Sequence, residues 1–263
     1  MSDIQSKKTI LRIENISKYY GSVNALNNVN FSIYEDEVVG LVGDNGAGKS
    51  TLVKIISGNF PPSKGDIYLE EKKVNLKSPS HARSLGIETV YQDLALCEDL
   101  DTVSNLYIGR EICKNILGFQ VLQKKDMERK TLEIISKIGT DFPSIHNEVK
   151  FLSGGQRQAV ALGRFVEWGD KLILLDEPTA ALGVRETNHV LELVAKTRKE
   201  KGVSMILISH NMQHVFQIAD RIIVLRHGEI VGIREKAKTT PEEIVSMITG
   251  AIYVNQDKIT SPQ

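Results

Sequence analysis

Apolar residues at every second position mark the early part of the chain: Leu11 and Ile13, then Val29, Phe31 and Ile33. Ile67 and Leu69 repeat the pattern before a polar turn at Glu71 and Lys72. Alternate side chains of a strand point to opposite faces, so these runs predict a sheet with one face on a core and one in water. Three other runs, Val38–Val42, 172–175 and 205–208, are apolar on successive residues. Strands of that kind need cover on both faces, which predicts a parallel sheet with helices on either side. Helical segments lie between them. Residues 49–57 are closed by Gly58, residues 156–168 by Gly169 with Val160, Phe165 and Val166 inward, and residues 184–199 carry Val190, Leu191 and Val194 at helical spacing. Thr240, Pro241 and Glu243 read as the cap, first-turn proline and capping-box acid of a last helix that Gly250 ends. No buried strand shows between Asp93 and Leu152. There Leu132, Ile134, Ile135 and Ile138 predict an amphipathic helix and Thr102 caps another, so the stretch reads as a helical insertion into an α/β core. The tail 254–263 reads as frayed, and neither an internal repeat nor a low-complexity linker is present.

Composition narrows the partners. The 263 residues suit one large domain with a sub-domain or two. Lys plus Arg and Asp plus Glu both number 33, so the basic excess expected of a nucleic-acid binder is missing. Cys97 and Cys113 are too far apart for a metal or redox pair, which fits a reducing compartment. Residues 1–9 are polar and show no signal peptide. No apolar run approaches the roughly 20 residues that span a bilayer, so the chain is not expected to enter a membrane by itself.

The chemistry begins at GDNGAGKST: Gly43, Asp44, Asn45, Gly46, Ala47, Gly48, Lys49, Ser50 and Thr51. The run follows a buried strand and opens a helix, the context of a phosphate-binding loop. Its glycines let the backbone turn with positive φ and approach a phosphate, with the amides pointing inward at a helix N-terminus. In such a loop Lys49 reaches the β- and γ-phosphates and the Ser50 hydroxyl ligates Mg2+. Asp176 and Glu177 follow the apolar run 172–175, two carboxylates at the edge of a buried strand. Asp176 is placed to hold Mg2+, directly or through water, and Glu177 to orient or deprotonate an attacking water. Acids at a strand end are often merely solvated, but here a phosphate loop lies upstream.

A second glycine-bearing anion site, FLSGGQRQ, holds Ser153, Gly154, Gly155 and Gln156 at the start of a helix. One phosphate loop does not need another. This run resembles the signature of ABC-type ATPases, and other motifs follow in that family's order over roughly residues 11–250. Tyr20 matches the aromatic that stacks on adenine, with Tyr19 the competing candidate. Gln92 matches the Q-loop glutamine, LILLDEP the Walker B segment, and His210 the switch histidine. His81, His146, His189, His214 and His227 read as structural, and Trp168 as packing at a helix end.

The resemblance implies a P-loop NTPase core with a RecA-like mixed sheet, an antiparallel β sub-domain and an inserted helical sub-domain. Residues 1–253 would form one domain, with the core at 1–93 and 157–253, the helical part at 94–156, and a tail at 254–263. Its implied cofactors are ATP and Mg2+, the metal held by Ser50, Gln92 and Asp176, with Glu177, His210 and Gln92 catalytic. It also implies a head-to-tail homodimer, or a dimer with a related cassette, in which Ser153, Gly154, Gly155 and Gln156 contact the partner's nucleotide. Transmembrane permease subunits would dock near 93–110 at the cytoplasmic face of the cell membrane, and an extracytoplasmic solute-binding protein would take part indirectly. DLDTVSNLYIGRE and NGAGKST look like the corresponding stretches of monosaccharide importers, which favours sugar uptake. Branched-chain amino acid import, export, a soluble ABC ATPase of translation or repair, and a P-loop kinase are the rival readings.

Two departures stand out. Asp36 precedes Glu37 where the family usually has Gly-Glu, an expected strained turn. Ala180, Ala181, Leu182 and Gly183 replace the usual Ser-Ala-Leu-Asp, a departure shared by many monosaccharide importers. Without that aspartate the loop is expected to be more flexible and ATP-driven dimerisation of the isolated subunit weak.

Overall fold

The structure is a computed structural model that describes residues 7–180 and 182–251. Ala181 and the tail expected to fray at 254–263 lie outside the described residues. In chain order the elements are β1 (Thr9–Tyr20), β2 (Val23–Tyr34), β3 (Val38–Val42), α1 (Lys49–Ile56), β4 (Lys64–Leu69), β5 (Lys72–Val74), α2 (Pro79–Ser84) and β6 (Ile87–Val90). There follow α3 (Thr102–Tyr107), β7 (Cys113–Ile116), β8 (Phe119–Leu122), α4 (Lys124–Ile138), α5 (Gly154–Trp168) and β9 (Leu172–Asp176). The chain closes with α6 (Val184–Lys201), β10 (Ser204–Ile208), α7 (Met212–Ile218), β11 (Arg221–Arg226), β12 (Glu229–Glu235) and α8 (Pro241–Thr249).

The central sheet runs β12-β11-β3-β10-β9-β6, parallel except for β12, which pairs antiparallel with β11 at the edge. Its all-apolar strands divide their residues between two cores. Val38, Val42, Ile173, Leu175, Met205 and Leu207 join the helical core, while Val39, Leu41, Leu172, Leu174, Ile206 and Ile208 face the other way. That second face corrects the expectation of helices on both sides. It is covered by α1 together with the antiparallel sheet β2-β1-β4-β5, because the apolar face of that sheet also has to be buried.

Several local expectations shift. The turn before β5 is Glu70–Glu71, both at positive φ, and Lys72 already belongs to the strand. The side chain that caps α3 is Asp101, which accepts from the Ser104 N–H; Thr102 is its buried first residue. Helix α4 turns Met127, Thr131, Ile134, Ile135 and Ile138 inward and leaves Leu132 57% exposed. Thr240 caps α8 as read, but the Glu243 carboxylate bonds Arg234 and Thr239 instead of closing a capping box. Asp36 has φ +50, the strained turn anticipated, and its carboxylate and carbonyl both accept from Arg198. Trp168 packs edge-on to Tyr107, centroids 5.4 Å apart. Helix α5 runs unbroken across residues 156 and 157, where the helical part was expected to end.

Two elements were not foreseen. Strand β6 escapes an apolar search because its second residue is Glu88, buried and ion-paired with Arg110. The hairpin β7–β8 stands clear of the body, with all eight strand residues exposed. It carries no burial pattern to read.

Gly183 is the N-cap of α6, at φ −69° and ψ 171°, a backbone that any residue adopts, and no side chain caps the helix. A Cβ there meets the Glu186 carboxylate at 2.7 Å, and that side chain is exposed and free to swing away. Gly183→Asp therefore supplies the missing cap. It should raise stability by about 0.3–0.5 kcal/mol, read as a higher unfolding midpoint; a lower midpoint would show that Glu186 cannot make room.

Candidate nucleotide site

Strand order assembles the site. Strands β3, β10, β9 and β6 lie side by side and point the same way, so their C-terminal ends share one edge. Gly43 follows β3, Asp176 ends β9 with Glu177 next, Ser209 and His210 follow β10, and Gln92 lies in the turn after β6. The ends of parallel strands are where an open α/β sheet receives ligands, because the loops there leave the packed core and the following helices present their N-termini.

The glycine loop is held by close packing. A Cβ on Gly43 would lie 2.2 Å from the Leu225 carbonyl, and one on Gly48, at φ +106°, would lie 2.7 Å from the Ala25 carbonyl. Ala47 is buried, whereas Asp44, Asn45, Gly46 and Ser50 are exposed and Thr51 is half-buried. Helix α1 has neither a side-chain cap nor an acid in its first turn, so its N-terminal amides are available to an anion. Lys49 folds back, its Nζ donating to the carbonyls of Gly43 at 2.8 Å and Asp44 at 2.9 Å. Burial lowers the pKa of this amine, against the pull of Glu177, Asp176 and Asp44.

Opposite it, burial and then the adjacent Glu177 push the Asp176 carboxyl above the usual range, with Lys49 opposing. Glu177 sits at φ +51°, a costly backbone for a non-glycine residue and a frequent mark of functional positions. Its N–H donates to the Ile208 carbonyl at 3.0 Å. Its Oε1 accepts the His210 N–H at 3.1 Å and faces His210 Nδ1 at 2.8 Å. His214, read as structural, stands beside this pair. It lines a cavity of about 380 Å³ with Glu177, Thr179, Ser209 and His210, and its Nδ1 faces Thr179 Oγ1 at 3.3 Å. Burial lowers its pKa, against the pull of Glu177. Only its spacing of four from His210 on the chain hinted at this.

The flanking candidates are less tied. Tyr20 is 47% exposed and packs edge-on to Phe60 at 5.9 Å, beside the segment that leaves α1, whereas Tyr19 lies by Lys64. Successive strand residues face opposite ways, so the two rings do not share a site. Gln92 is exposed, followed by Leu94 and Ala95 at positive φ.

The second candidate anion site is the N-terminus of α5. Ser153 and Gln156 form a reciprocal capping box, with the Gln156 N–H donating to Ser153 Oγ at 3.2 Å and the Ser153 N–H to Gln156 Oε1 at 2.9 Å. Gln156 Nε2 reaches the Asp141 carbonyl at 2.9 Å, so its side chain is spent within the chain. A Cβ added at Gly154 or Gly155 meets nothing within 4 Å. Packing of this chain does not require glycine at either position.

A family model described as ABC transporter matches residues 26–180, and one described as a P-loop domain matches residues 135–250. The chain is 47% identical over 240 residues to the xylose/arabinose import ATP-binding protein of Sulfolobus acidocaldarius, covering 91% of this chain and 94% of that one. It is 43% identical to the fructose import ATP-binding protein of Rhizobium meliloti, covering 94% and 96%. It spans about half, 48%, of the ribose import ATP-binding protein of Clostridium tetani, at 37% identity over 93% of this chain. Among solved structures, a dimeric ATP-binding cassette in a post-hydrolysis state with ADP and phosphate aligns with TM-score 0.76 and 26% identity, covering 86% of this chain and 99% of that one.

The raised pKa at Asp176 yields a test of the site. The folded state holds this proton more tightly than the unfolded chain, so the group favours folding below the ordinary carboxylate pKa and loses that benefit as pH rises through its raised one. Asp176→Asn removes the buried charge and should stabilise the nucleotide-free protein by about 1 kcal/mol at pH 7, with a smaller gain at pH 5. Urea unfolding at both pH values checks it, and an unchanged gain on acidification would remove the carboxylate as its cause.

Proposed function

The chain belongs to the ABC transporter family, and from that membership we propose that it is the ATP-hydrolysing subunit that powers uptake of a monosaccharide. The sugar assignment is supported by two import ATP-binding proteins that match it along more than nine-tenths of both chains. One observation carries the mechanism. A single chain presents two helix N-termini suited to phosphate, and at the second its glycines are not needed by its own packing. Glycines kept where the fold has no use for them make room for something outside the chain. In a head-to-tail dimer that is the nucleotide on the partner's loop, and two-fold symmetry then makes two composite sites.

In each site the amides of the Gly43–Thr51 loop and Lys49 bind the β- and γ-phosphates, and Tyr20 packs on the base. Lys49 leaves the carbonyls of Gly43 and Asp44 for phosphate oxygens, exchanging two neutral acceptors for charged ones. Mg2+ fits the donor set, since the Ser50 hydroxyl, the Asp176 carboxylate and the Gln92 amide are hard oxygen ligands. Ser50, Asp176 and Gln92 are the residues that would hold it. Bound there, the ion supplies charge stabilisation to the phosphoryl group. Glu177 orients and deprotonates the water, and His210, already against Glu177, holds that carboxylate and reaches the γ-phosphate. Ser153, Gly154 and Gly155 of the partner close the cage.

The permease docks on residues 93–110. Arg164 of α5 ties this segment down through the carbonyls of Ala95 at 3.0 Å and Asn105 at 3.0 Å, and Arg110 returns it to Glu88 on β6. The docked permease is what holds the subunit at the cytoplasmic face; no helix of the described residues is long and apolar enough to cross a membrane.

Lys49→Ala should weaken ATP binding by about 10- to 100-fold, the loss of one charge-assisted contact, in a fluorescent-nucleotide titration. Glu177→Gln should keep ATP binding, slow hydrolysis by about 100-fold or more, and accumulate an ATP-held dimer on size exclusion. Ser153→Arg mixed with Lys49→Ala should recover part of the ATPase activity that each lacks alone. A Ser153→Arg chain with full activity by itself would end the composite-site reading.

A further inference from the structure

The signature helix is bound to the residue that directly follows Glu177 in its own chain. Gln158 lies on α5, five residues beyond the capping Ser153, and is 6% exposed. Its Nε2 donates to the carbonyl of Pro178, a buried residue directly after Glu177. Proline has no N–H, so this carbonyl is its one backbone hydrogen-bonding group. On the other side of the left-handed Glu177, its N–H is fixed to Ile208. The strained residue is thus tied through its N–H to the central sheet and, through the residue that follows it, to the signature helix. Strain of this kind persists only when its surroundings over-determine it, and Gln158 is one of those determinants, beside the His210 N–H on the carboxylate and the Ala180 N–H on the Glu177 carbonyl.

A 15-residue helix moves as a rod, so displacement of its N-terminus displaces Gln158. In the head-to-tail dimer of the proposed function, on which this rests, that N-terminus touches the nucleotide in the site opposite to the one its own Glu177 serves. We propose that Gln158 is a positioning residue that transmits occupancy of one composite site to the catalytic carboxylate of the other. Each carboxylate is then fully aligned only when both sites hold ATP. Plain burial of a polar side chain accounts for a hydrogen bond at Gln158. It does not account for the bond falling on the residue next to Glu177.

Two measurements separate the roles. Gln158→Met keeps the length and removes the donor; it should lower the maximal hydrolysis rate about tenfold, the scale of one hydrogen bond, and leave nucleotide affinity unchanged. Added to Glu177→Gln it should cost nothing further, because it acts through Glu177. Full additivity would make it a general lesion and overturn the positioning role. Gln158→Glu, an acceptor in the same shape, serves if the methionine variant does not fold and should behave alike.

The coupling is read in mixed dimers. An ATP-competent chain is titrated with excess Lys49→Ala chain until its rate reaches a plateau, so that each competent chain works beside a vacant site. With wild-type competent chains the rate per occupied site should fall about tenfold below the homodimer. With Gln158→Met competent chains the two rates should agree. Equal rates for wild type, or an undiminished ratio for the variant, overturn the coupling while ATP-held dimers of Glu177→Gln leave the dimer standing. Failure of those dimers to form would remove the dimer reading and this inference with it.

Discussion

Five parallel strands, apolar on both faces except chiefly at Glu88 of the outer strand β6, direct polar chemistry to the rim where the strands stop. Everything else follows from covering the two faces. The helices take one side, and α1 with the antiparallel sheet takes the other. Because successive residues of each strand go to opposite cores, a one-residue slip of β3 against β10 would move Val38 and Val39 into each other's packing. Register is therefore firm, and with it the levels at which Gly43, Asp176 and His210 leave the sheet.

At that rim burial penalises the charged forms of two facing groups. Lys49 is buried enough to lose basicity, and Asp176 is buried enough to gain it. Glu177 carries backbone strain beside a histidine. A ligand that brings anionic oxygens and a divalent cation relieves these groups together, since it offers Lys49 stronger acceptors and Asp176 a positive neighbour.

Much of this was legible in the sequence. The apolar runs around 38–42, 172–175 and 205–208 reveal both the strands and, through the residues that follow them, the rim. Glycines 43, 46 and 48 read correctly as a loop because packing or φ forbids a side chain there. What periodicity misses is of three kinds. Strand β6 hides because Glu88 is neutralised by Arg110 from a distant segment. The cover of the second sheet face is itself a sheet, a question of which surfaces meet and not of local pattern. His214 and Gln158 gain their positions only when α5, α7 and the turn at Pro178 converge, and no spacing within one element encodes that.

The hairpin β7–β8 bears on how the subunit behaves outside its assembly. Leu117 is 95% exposed at its tip and Phe119 76%, with Ile116, Val121 and Leu122 partly so. Among the described residues the two strands pair only with each other, which leaves both lateral edges open to pairing, and the apolar tip rewards it. This exposed apolar hairpin is therefore a surface that favours self-association of the isolated chain. A lysine in place of Leu117 puts a charge at the tip and opposes that association.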